Sequence, residues 1–262
     1  MSERKETARI AGLDCQIQAK KGQNSLEIAR FGNLAKPKGN FSGFSDSLLG
    51  EARALLCWRS QVFPAIQAAL DAADAGDIVQ VRAGIYSENV VLNKVVTLTA
   101  EIFDQLNPVN NTTVIDGMGG SSAILIPAGL TQMPVVRGFV IQNSVDGIQS
   151  SSEFIAEFNY FHSSFKPTNY QMGAGGINRN NVYFKSNDDA IHLDDVNRPL
   201  LIENNRILYA GDDGIEISLQ NTSIPRALIE VDIWNNMIIG SREDGIQFID
   251  YTNDPLEPTA VS

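Results

Sequence analysis

The stretch NDDAIHLDD at residues 187–195 is followed by two altered copies, GDDGIEIS at 211–218 and EDGIQFID at 243–250. Each copy places acidic residues before a small residue and an isoleucine. Self-similarity at a regular spacing is the sequence signature of a repeat architecture, in which each unit buries its apolar side against its neighbours. Three roles are open for the paired carboxylates: catalysts, calcium ligands, or only the polar turns of the repeat.

An asparagine pair precedes each acidic turn at a constant distance. The acidic residues are Asp189, Asp213 and Asp244, and the asparagines nine positions before them are Asn180, Asn204 and Asn235. The next residue is again asparagine in every case. Asparagine tolerates left-handed backbone angles, and stacked asparagine side chains form hydrogen-bonded ladders. These pairs therefore predict a structural role in the tight turns of the repeat.

Two earlier stretches of the chain fit the same repeat, in which an acidic position follows the first position nine residues later. RGFVIQNSVDGIQS, 137–150, fits with Arg137 in the first position and Asp146 in the acidic one, and EFNYFHSS, 157–164, is a degenerate copy with Phe158 in the first position. The first positions then lie 21, 22, 24 and 31 residues apart. The last step is long because QNTSIPRA, 220–227, has the composition of an inserted loop.

Each copy contains short runs of alternating apolar residues, such as GIEISL at 214–219 and RALIEVDIW at 226–234. Such alternation predicts strands, and the asparagine and aspartate–glycine pairs between them predict turns. A period of this length also suits leucine-rich repeats, but their dense leucine pattern is missing. The prediction is an all-β fold in which three short strands and their turns make one coil of a parallel β-helix.

The preceding region, 63–101, supports this interpretation. Phe63, Ile66, Ala69 and Leu70 share one helix face, and Gly76 is expected to end the helix. Strands are predicted at 78–81 and 91–98, with a turn at AGIYSENV, 83–90, and a strand and turn at TVIDGMGG, 113–120. A helix at the open end of a solenoid would cover an exposed strand edge, so we expect an N-terminal capping helix.

The stretch AIQAALDAADAGDIVQVRAGIYSENVVLNKVVTLTA, 65–100, resembles the opening coils of right-handed parallel β-helix proteins of the pectin lyase-like superfamily, especially the periplasmic NosD-type proteins. The later copies are similar to the generic β-helix repeats of that group. The resemblance covers roughly residues 60–252 and implies a right-handed parallel β-helix, an extracellular or periplasmic location and a carbohydrate ligand. The β-helix domain is expected to span 58–262. It leaves the reaction open, because the superfamily contains lyases, hydrolases, epimerases, esterases, adhesins and inactive modules. Residues 1–57 match nothing in this pattern, and their role is open.

The amino-acid composition limits the classes of partner that the protein is expected to bind. The 262 residues carry a formal charge of −11, which disfavours nucleic-acid binding because phosphate contacts need clustered Lys and Arg. No apolar run reaches the roughly 20 residues of a membrane-spanning helix, and the N-terminus lacks the apolar core of a signal peptide. With two histidines and two cysteines, a zinc site built from His and Cys is not expected. We expect natural coils to continue beyond Ser262.

Side chains alternate between the two faces of a strand, so consecutive residues after each acidic turn point to opposite faces. If Ile191, Ile215 and Ile246 point into the core, the next residues point outward. Those outward residues are His192, Glu216 and Gln247, with Gln149 in the earlier copy. Because neighbouring strands lie about 4.8 Å apart, an imidazole, a carboxylate and an amide are predicted in one row. Asp194 continues the outward face two residues after His192.

Such a row suits acid–base chemistry on a sugar chain. Glycosidases use two carboxyl groups, about 5–5.5 Å apart in retaining and about 6.5–9.5 Å apart in inverting enzymes. The candidate catalytic residues are Asp189, His192, Asp212, Asp213 and Glu216. The string GDDGIEI also resembles the GDDC element of polygalacturonase-type hydrolases, which implies Asp212 and Asp213 as the acid and base, although the other elements of that family are absent. A pectate-lyase reaction would need a base, for which Lys185 and Arg198 are available.

Binding roles follow from the same face. Tyr170, in the loop NYQMGAGG, is the expected exposed sugar-stacking aromatic, with Asp194 and Gln247 as further substrate contacts. The candidate calcium ligands, hard oxygen donors from adjacent turns, are Asp188, Asp189, Asp212 and Asp213. Two functions are weighed: an enzyme that cleaves or modifies an extracellular acidic polysaccharide, as hydrolase or lyase, and a non-catalytic carbohydrate-binding or surface module.

Overall fold

The computed structural model describes residues 17–20, 62–220 and 230–251, and strands dominate these ranges. Apart from residues 17–20, the N-terminal segment 1–57 lies outside the described residues, as does nearly all of the inserted loop expected at 220–227. Of the part of the chain that the structure describes, no helix is both long and apolar enough to cross a membrane.

The strands form two large sheets that advance together along the chain. The first sheet has nine strands: β1 (Ile17–Lys20), β2 (Val62–Phe63), β3 (Ile78–Val81), β6 (Thr97–Ala100), β8 (Val135–Arg137), β10 (Glu153–Glu157), β12 (Gly175–Arg179), β15 (Leu200–Glu203) and β18 (Val231–Trp234). The second has eleven: β4 (Gly84–Ser87), β5 (Val90–Val91), β7 (Thr113–Ile126), β9 (Val140–Ser150), β11 (Tyr160–Tyr170), β13 (Val182–Phe184), β14 (Ile191–Asp194), β16 (Arg206–Leu208), β17 (Ile215–Leu219), β19 (Met237–Ile239) and β20 (Ile246–Asp250).

Pairing within both sheets is parallel, except where β1 pairs antiparallel with β2 and β3. Strands of successive repeat copies are direct neighbours: β10 pairs with β12, β12 with β15, and β15 with β18. Parallel strands need a crossover between them, and here the crossover is a pass through the other sheet. The all-β prediction is confirmed to this extent: the chain has stacked parallel sheets that are compatible with a β-helix or solenoid.

A buried asparagine ladder joins the copies at one turn, as the sequence predicts. The backbone N–H of Asn159 donates to Asn181 Oδ1, that of Asn181 to Asn205 Oδ1, and that of Asn205 to Asn236 Oδ1, each at 2.9 Å. The residue before each of these asparagines has a left-handed φ of 53 to 56°. Asparagine occupies that position in three copies because it accepts this angle at low cost.

The first position of the earliest copy is corrected by the structure. Arg137 pairs in register with Glu157, which precedes Phe158, so the residue equivalent to Phe158 is Gly138. Gly138 has a φ of +83°, which matches the left-handed turn of the other copies. The error arose because the spacing from this turn to Asp146 is one residue shorter than the spacing to Asp189, Asp213 and Asp244 in the last three copies.

The isoleucines after the acidic turns form the core, as predicted, except in the last copy. Ile148, Ile191 and Ile215 are fully buried, and the equivalent Ile246 is 51% exposed. Ile246 pairs with Ile215 on one side only among the described strands, so half of its packing surface is open. Burial in this fold therefore depends on a neighbour on both sides.

The N-terminal helix α1 (Ile66–Ala72) is present and buries Ile66, Ala69 and Leu70. It ends before Gly76, which lies in the next turn with a φ of +88°. The helix contacts β1, β2, β3 and β5, at the start of the stacked sheets. A 3-10 helix (Pro108–Asn110) precedes β7.

Two local predictions between residues 83 and 98 are wrong. The expected turn at 83–90 contains strand β4, which pairs in parallel with β7 and buries Tyr86. The expected strand at 91–98 is instead divided into β5 and β6, which belong to different sheets. The glycine and asparagine in AGIYSENV suggested a turn, but pairing with β7 decides the backbone here.

Candidate functional site

The predicted outward row exists and is longer than expected. Strands β9, β11, β14, β17 and β20 stack in parallel, and their register aligns five polar residues: Gln149, Asn169, His192, Glu216 and Gln247. Asn169 was missed because it lies in the degenerate copy, where the acidic turn is absent. The signal that could have located it is its position one residue before the end of the strand-like run that closes at Tyr170.

The middle of this row lies in an open cleft of about 600 Å³. Most of the residues around it are polar or charged: Lys166, Asn169, Gln171, Asp188, Asp189, His192, Asp194, Glu216, Gln220 and Tyr251. Lys166 is the one lysine or arginine among these described residues, against four carboxylates. The cleft is therefore acidic, in keeping with the charge of the whole chain.

His192 forms the centre of the cleft. Its Nδ1 lies 2.9 Å from Asp189 Oδ2 and 3.6 Å from Glu216 Oε1. The prediction that this histidine faces outward from the core is confirmed, and only 7% of the residue is exposed. The carboxylates of the neighbouring copy and of its own turn cover the ring. An imidazole held between two carboxylates is well placed for proton transfer.

Asp189 has two roles at once. Its Oδ2 contacts His192, while its Oδ1 accepts a hydrogen bond from the backbone N–H of Asp213 at 3.2 Å. Asp213 repeats the second role, because its Oδ1 accepts the backbone N–H of Asp244 at 2.7 Å. Both aspartates are 1% exposed. The interpretation of these aspartates as turn caps is confirmed, and Asp189 additionally reaches the cleft.

Lys166 supplies a positive charge that the sequence reasoning did not identify. Its Nζ lies 3.4 Å from Asp188 Oδ2 and 3.9 Å from Asp189 Oδ2. In the strand register Lys166 is the partner of Asp146, so it occupies the acidic position of the degenerate copy. A lysine where the other copies have aspartate was the available signal.

Several carboxyl groups of the cleft are easier to protonate than usual. Burial raises the pKa of Glu216, and the negative charge of Asp189 raises it further. Burial and the adjacent Asp189 likewise raise the pKa of Asp188, and burial followed by the charge of Asp195 raises the pKa of Asp194. A carboxyl group with a raised pKa is a better general acid near neutral pH.

Asp212 and Asp213 lie at the turn beside the cleft, and Asp212 is close to the cleft residues Asp188 and Asp189. Neither residue lines the cleft. Burial raises the pKa of Asp213, but one of its oxygens is engaged by a backbone N–H of the next turn. The two residues that resemble the GDDC element of polygalacturonase-type hydrolases therefore lie at a turn, beside the cleft rather than within it. Lys185 and Arg198, the bases considered for a lyase, are also outside the lining.

Among the predicted substrate contacts, the prediction that Tyr170 is exposed is wrong. It is fully buried and stacks on Phe154 with 5.0 Å between ring centroids. Tyr170 pairs in register with the buried Leu193, so the alternation of the strand turns its ring inward. Asp194 does line the cleft, whereas Gln247 does not and lies one copy further, with Nε2 at 3.5 Å from Asp244 Oδ2.

Two groups of three side chains bring possible metal ligands together. Asp188, Asp189 and Asp212 form one group, and Asp189, His192 and Glu216 form the other; within each, the ligand atoms lie within 4.8 Å of one another. The first group contains three of the four predicted calcium ligands. The fourth, Asp213, is not a member.

Comparison with protein-family models, with curated proteins and with solved structures finds no match for the chain.

Proposed function

We propose that the chain is a right-handed parallel β-helix of the pectin lyase-like type, and that it is a carbohydrate-active enzyme. Its substrate on this proposal is an extracellular acidic polysaccharide, cleaved or modified by hydrolysis or elimination in the cleft. The stacked parallel sheets and the repeat support the fold. One observation carries the activity: His192, inside an open cleft, contacts Asp189 and lies 3.6 Å from Glu216.

Glu216 and His192 are the proposed proton-transferring groups. Glu216 has a raised pKa and lines the cleft, so it can hold a proton that a leaving group requires. Asp189 is held by the Asp213 N–H and orients the imidazole, as the aspartate of a catalytic triad does. Asp189 and Glu216 oxygens lie within 4.8 Å of each other, which is shorter than the separation of about 6.5–9.5 Å that inverting glycosidases need.

Lys166 is the proposed contact for an acidic sugar. Four carboxylates line the cleft, so an anionic chain is repelled unless a cation offsets that charge. The ammonium group of Lys166 lies at the rim formed by Asp188 and Asp189. The raised pKa values of Asp188, Asp194 and Glu216 act in the same direction, because protonation lowers the negative charge of the cleft.

A turnover screen tests the proposal. Pectate, alginate, other uronic-acid polymers and neutral glycans are incubated with the protein, and reducing ends and the ultraviolet absorbance of unsaturated sugars are measured together. We expect activity on a uronic-acid polymer that falls at least 100-fold in Glu216→Gln. Asp232→Asn, an exposed carboxylate on the other sheet, is the matched control and keeps full activity.

Reducing ends alone identify a hydrolase, and both signals together identify a lyase. Full activity in Glu216→Gln contradicts the assignment of the site. Glycan binding without any product, in a folded protein, supports the second candidate, a non-catalytic carbohydrate-binding module. The observation that favours this candidate is that Asp189 and Asp213 both serve as turn caps, a role that needs no catalysis.

A further inference from the structure

We propose that Asp189, His192 and Glu216 form a binding site for a divalent transition-metal ion such as Zn²⁺, and not for calcium. The ligand atoms are His192 Nδ1, Asp189 Oδ2 and Glu216 Oε1. This inference concerns binding to the same three side chains that carry the proposed activity, so a bound ion and proton transfer by these atoms would exclude each other. It assigns the cleft a mixed nitrogen and oxygen ligand set in place of the all-aspartate set expected from the sequence.

The distances from His192 Nδ1 to the two carboxylate oxygens are close to those around a small ion, and the three ligand atoms lie within 4.8 Å of one another. Zn²⁺ binds histidine nitrogen and carboxylate oxygen at about 2.0–2.2 Å, which puts neighbouring ligand atoms roughly 3.0–3.5 Å apart. His192 Nδ1 lies 2.9 Å from Asp189 Oδ2 and 3.6 Å from Glu216 Oε1. An ion can therefore take the place of the proton shared between the ring and the carboxylates, with small movements of the side chains.

The site is also held in place before any ion binds. Asp189 is fixed by the hydrogen bond from the Asp213 N–H to its other oxygen. His192 and Glu216 lie on adjacent parallel strands and are direct register partners. Ligands mounted on rigid strands lose little conformational freedom on binding, and this favours affinity.

A separate observation points to a missing partner in the same cleft. Asn169 is 8% exposed, lines the cleft, and precedes His192 in the outward row. Its Nδ2 donates to Asp146 Oδ1, but its Oδ1 is buried without a hydrogen-bond partner. A buried acceptor of this kind normally has a donor. Water bound to the metal ion would supply one, which would give Asn169 the role of a supporting acceptor.

The all-aspartate group is the weaker alternative. Calcium requires six to eight oxygen ligands, and an imidazole is a poor ligand for it. Lys166 Nζ lies closest to the all-aspartate group, at 3.4 Å from Asp188 Oδ2, and it is 3.9 Å from the Asp189 Oδ2 that both groups share. The ammonium group neutralises part of the charge that would attract calcium. Histidine, in contrast, is a common ligand of Zn²⁺ and of other transition metals.

Titration calorimetry of the untagged, metal-free protein tests the site. Zn²⁺ is titrated at pH 7.5, and Ca²⁺ is tested as a competitor at millimolar concentration. We expect one Zn²⁺ per chain and no displacement by Ca²⁺. His192→Gln and Glu216→Gln should each weaken binding at least tenfold, and Asn169→Ala about tenfold. Asp212→Asn is the matched control and should bind Zn²⁺ like the wild type.

Nuclear magnetic resonance of the ring nitrogens provides a readout that folding defects do not imitate. The chain has two histidines, so His162 serves as an internal reference in the same sample. Its Nδ1 lies 3.0 Å from Ser163 Oγ, and it is not a member of either ligand group. Zn²⁺ should shift the Nδ1 resonance of His192 strongly and leave both ring nitrogens of His162 unchanged. His162→Gln assigns the signals.

Three outcomes would overturn the proposal. The first is the absence of Zn²⁺ binding to the folded wild type, and the second is unchanged affinity in His192→Gln. The third is loss of binding in Asp212→Asn together with displacement by Ca²⁺, which would identify the all-aspartate group as the site. None of these measurements uses turnover, so a failure here is distinct from a failure of the proposed activity.

Discussion

Two neighbouring parts of the second sheet share one backbone pattern and differ in chemistry. In β7 and β9 the outward position after the turn is held by Leu125 and Gln149. In β14 and β17 the same position is held by His192 and Glu216. The inward partners, Ile124, Ile148, Ile191 and Ile215, are all buried isoleucines. The core requirement is thus identical, and the outward position is free to carry function.

The acidic position shows the same divergence. Through the register it runs from Ser122 to Asp146 and then to Lys166. Asp189 is its counterpart in the next copy, because Lys166 and Asp189 each lie two residues before the paired Thr168 and Ile191. Asp189 and Asp213 both accept a backbone N–H from the next turn, and only Asp189 also contacts an imidazole. A repeated residue type therefore has a common structural role and, in one copy, an additional chemical one.

Replacing these two aspartates by alanine separates the roles and has the largest expected effect. Asp189→Ala and Asp213→Ala each leave a backbone N–H without its acceptor, which costs about 1–3 kcal/mol of unfolding free energy. Asp189→Ala also removes the partner of His192, so turnover should fall about 100- to 10,000-fold. Urea denaturation and initial rates measure the two effects. Equal activity of the two variants would contradict the distinction between the aspartates.

Asparagines in the middle and at the end of the ladder should differ in a similar way. Asn181 Oδ1 accepts the N–H of Asn159, and its Nδ2 donates to Ala156 O and Asn178 Oδ1, all buried. Asn181→Ala should cost about 3 kcal/mol of unfolding free energy, because several buried partners are left unpaired. Asn236→Ala, in the partly exposed last copy, should cost about 1 kcal/mol. Chemical denaturation compares them, and equal losses would show that position in the stack is unimportant.

These comparisons show how far the sequence determines the structure. The ladder, the inward isoleucines and the outward row could be predicted, because they depend on a period of two within strands and on a repeat between them. The role of Lys166 and Asn169 could not, since their copy lacks the acidic turn that defines the frame. Nor could the burial of His192, which depends on side chains from another copy. The prediction that Tyr170 is exposed was wrong because the residue was assigned to a loop, whereas it is the last residue of strand β11.

The carboxyl groups of the cleft should make the protein less stable as pH rises, whereas a carboxylate in an ordinary ion pair makes it more stable. Asp188, Asp194 and Glu216 have folded-state pKa values raised by burial, so folding favours their protonated forms. Their contribution to stability is full below the pKa of an unfolded carboxyl group, about 4, and is lost as pH rises through the folded pKa values. The effect should stay below about 1 kcal/mol per group, because solvent screens these partly exposed side chains.

The measurement uses metal-free protein with a chelator present, so that metal binding does not contribute. The unfolding free energy is determined at pH 3.5 and pH 7.5 for the wild type and for Asp194→Asn. We expect the loss of stability between the two pH values to be smaller in the variant, because an amide does not ionise. An identical pH dependence would show that Asp194 has an unperturbed carboxyl group.

The smallest effect is expected at Gln247, and it defines the end of the site. Gln247 is the register partner of Glu216, but it does not line the cleft, and its one described side-chain hydrogen bond is 3.5 Å long. Gln247→Ala should change the unfolding free energy by less than about 0.5 kcal/mol and leave the rate of turnover unchanged. Gln171→Ala, which alters a polar residue of the cleft itself, should raise KM by comparison. If Gln247→Ala raises KM to the same extent, a bound glycan extends one repeat copy beyond Glu216, and the cleft is longer than its lining residues indicate.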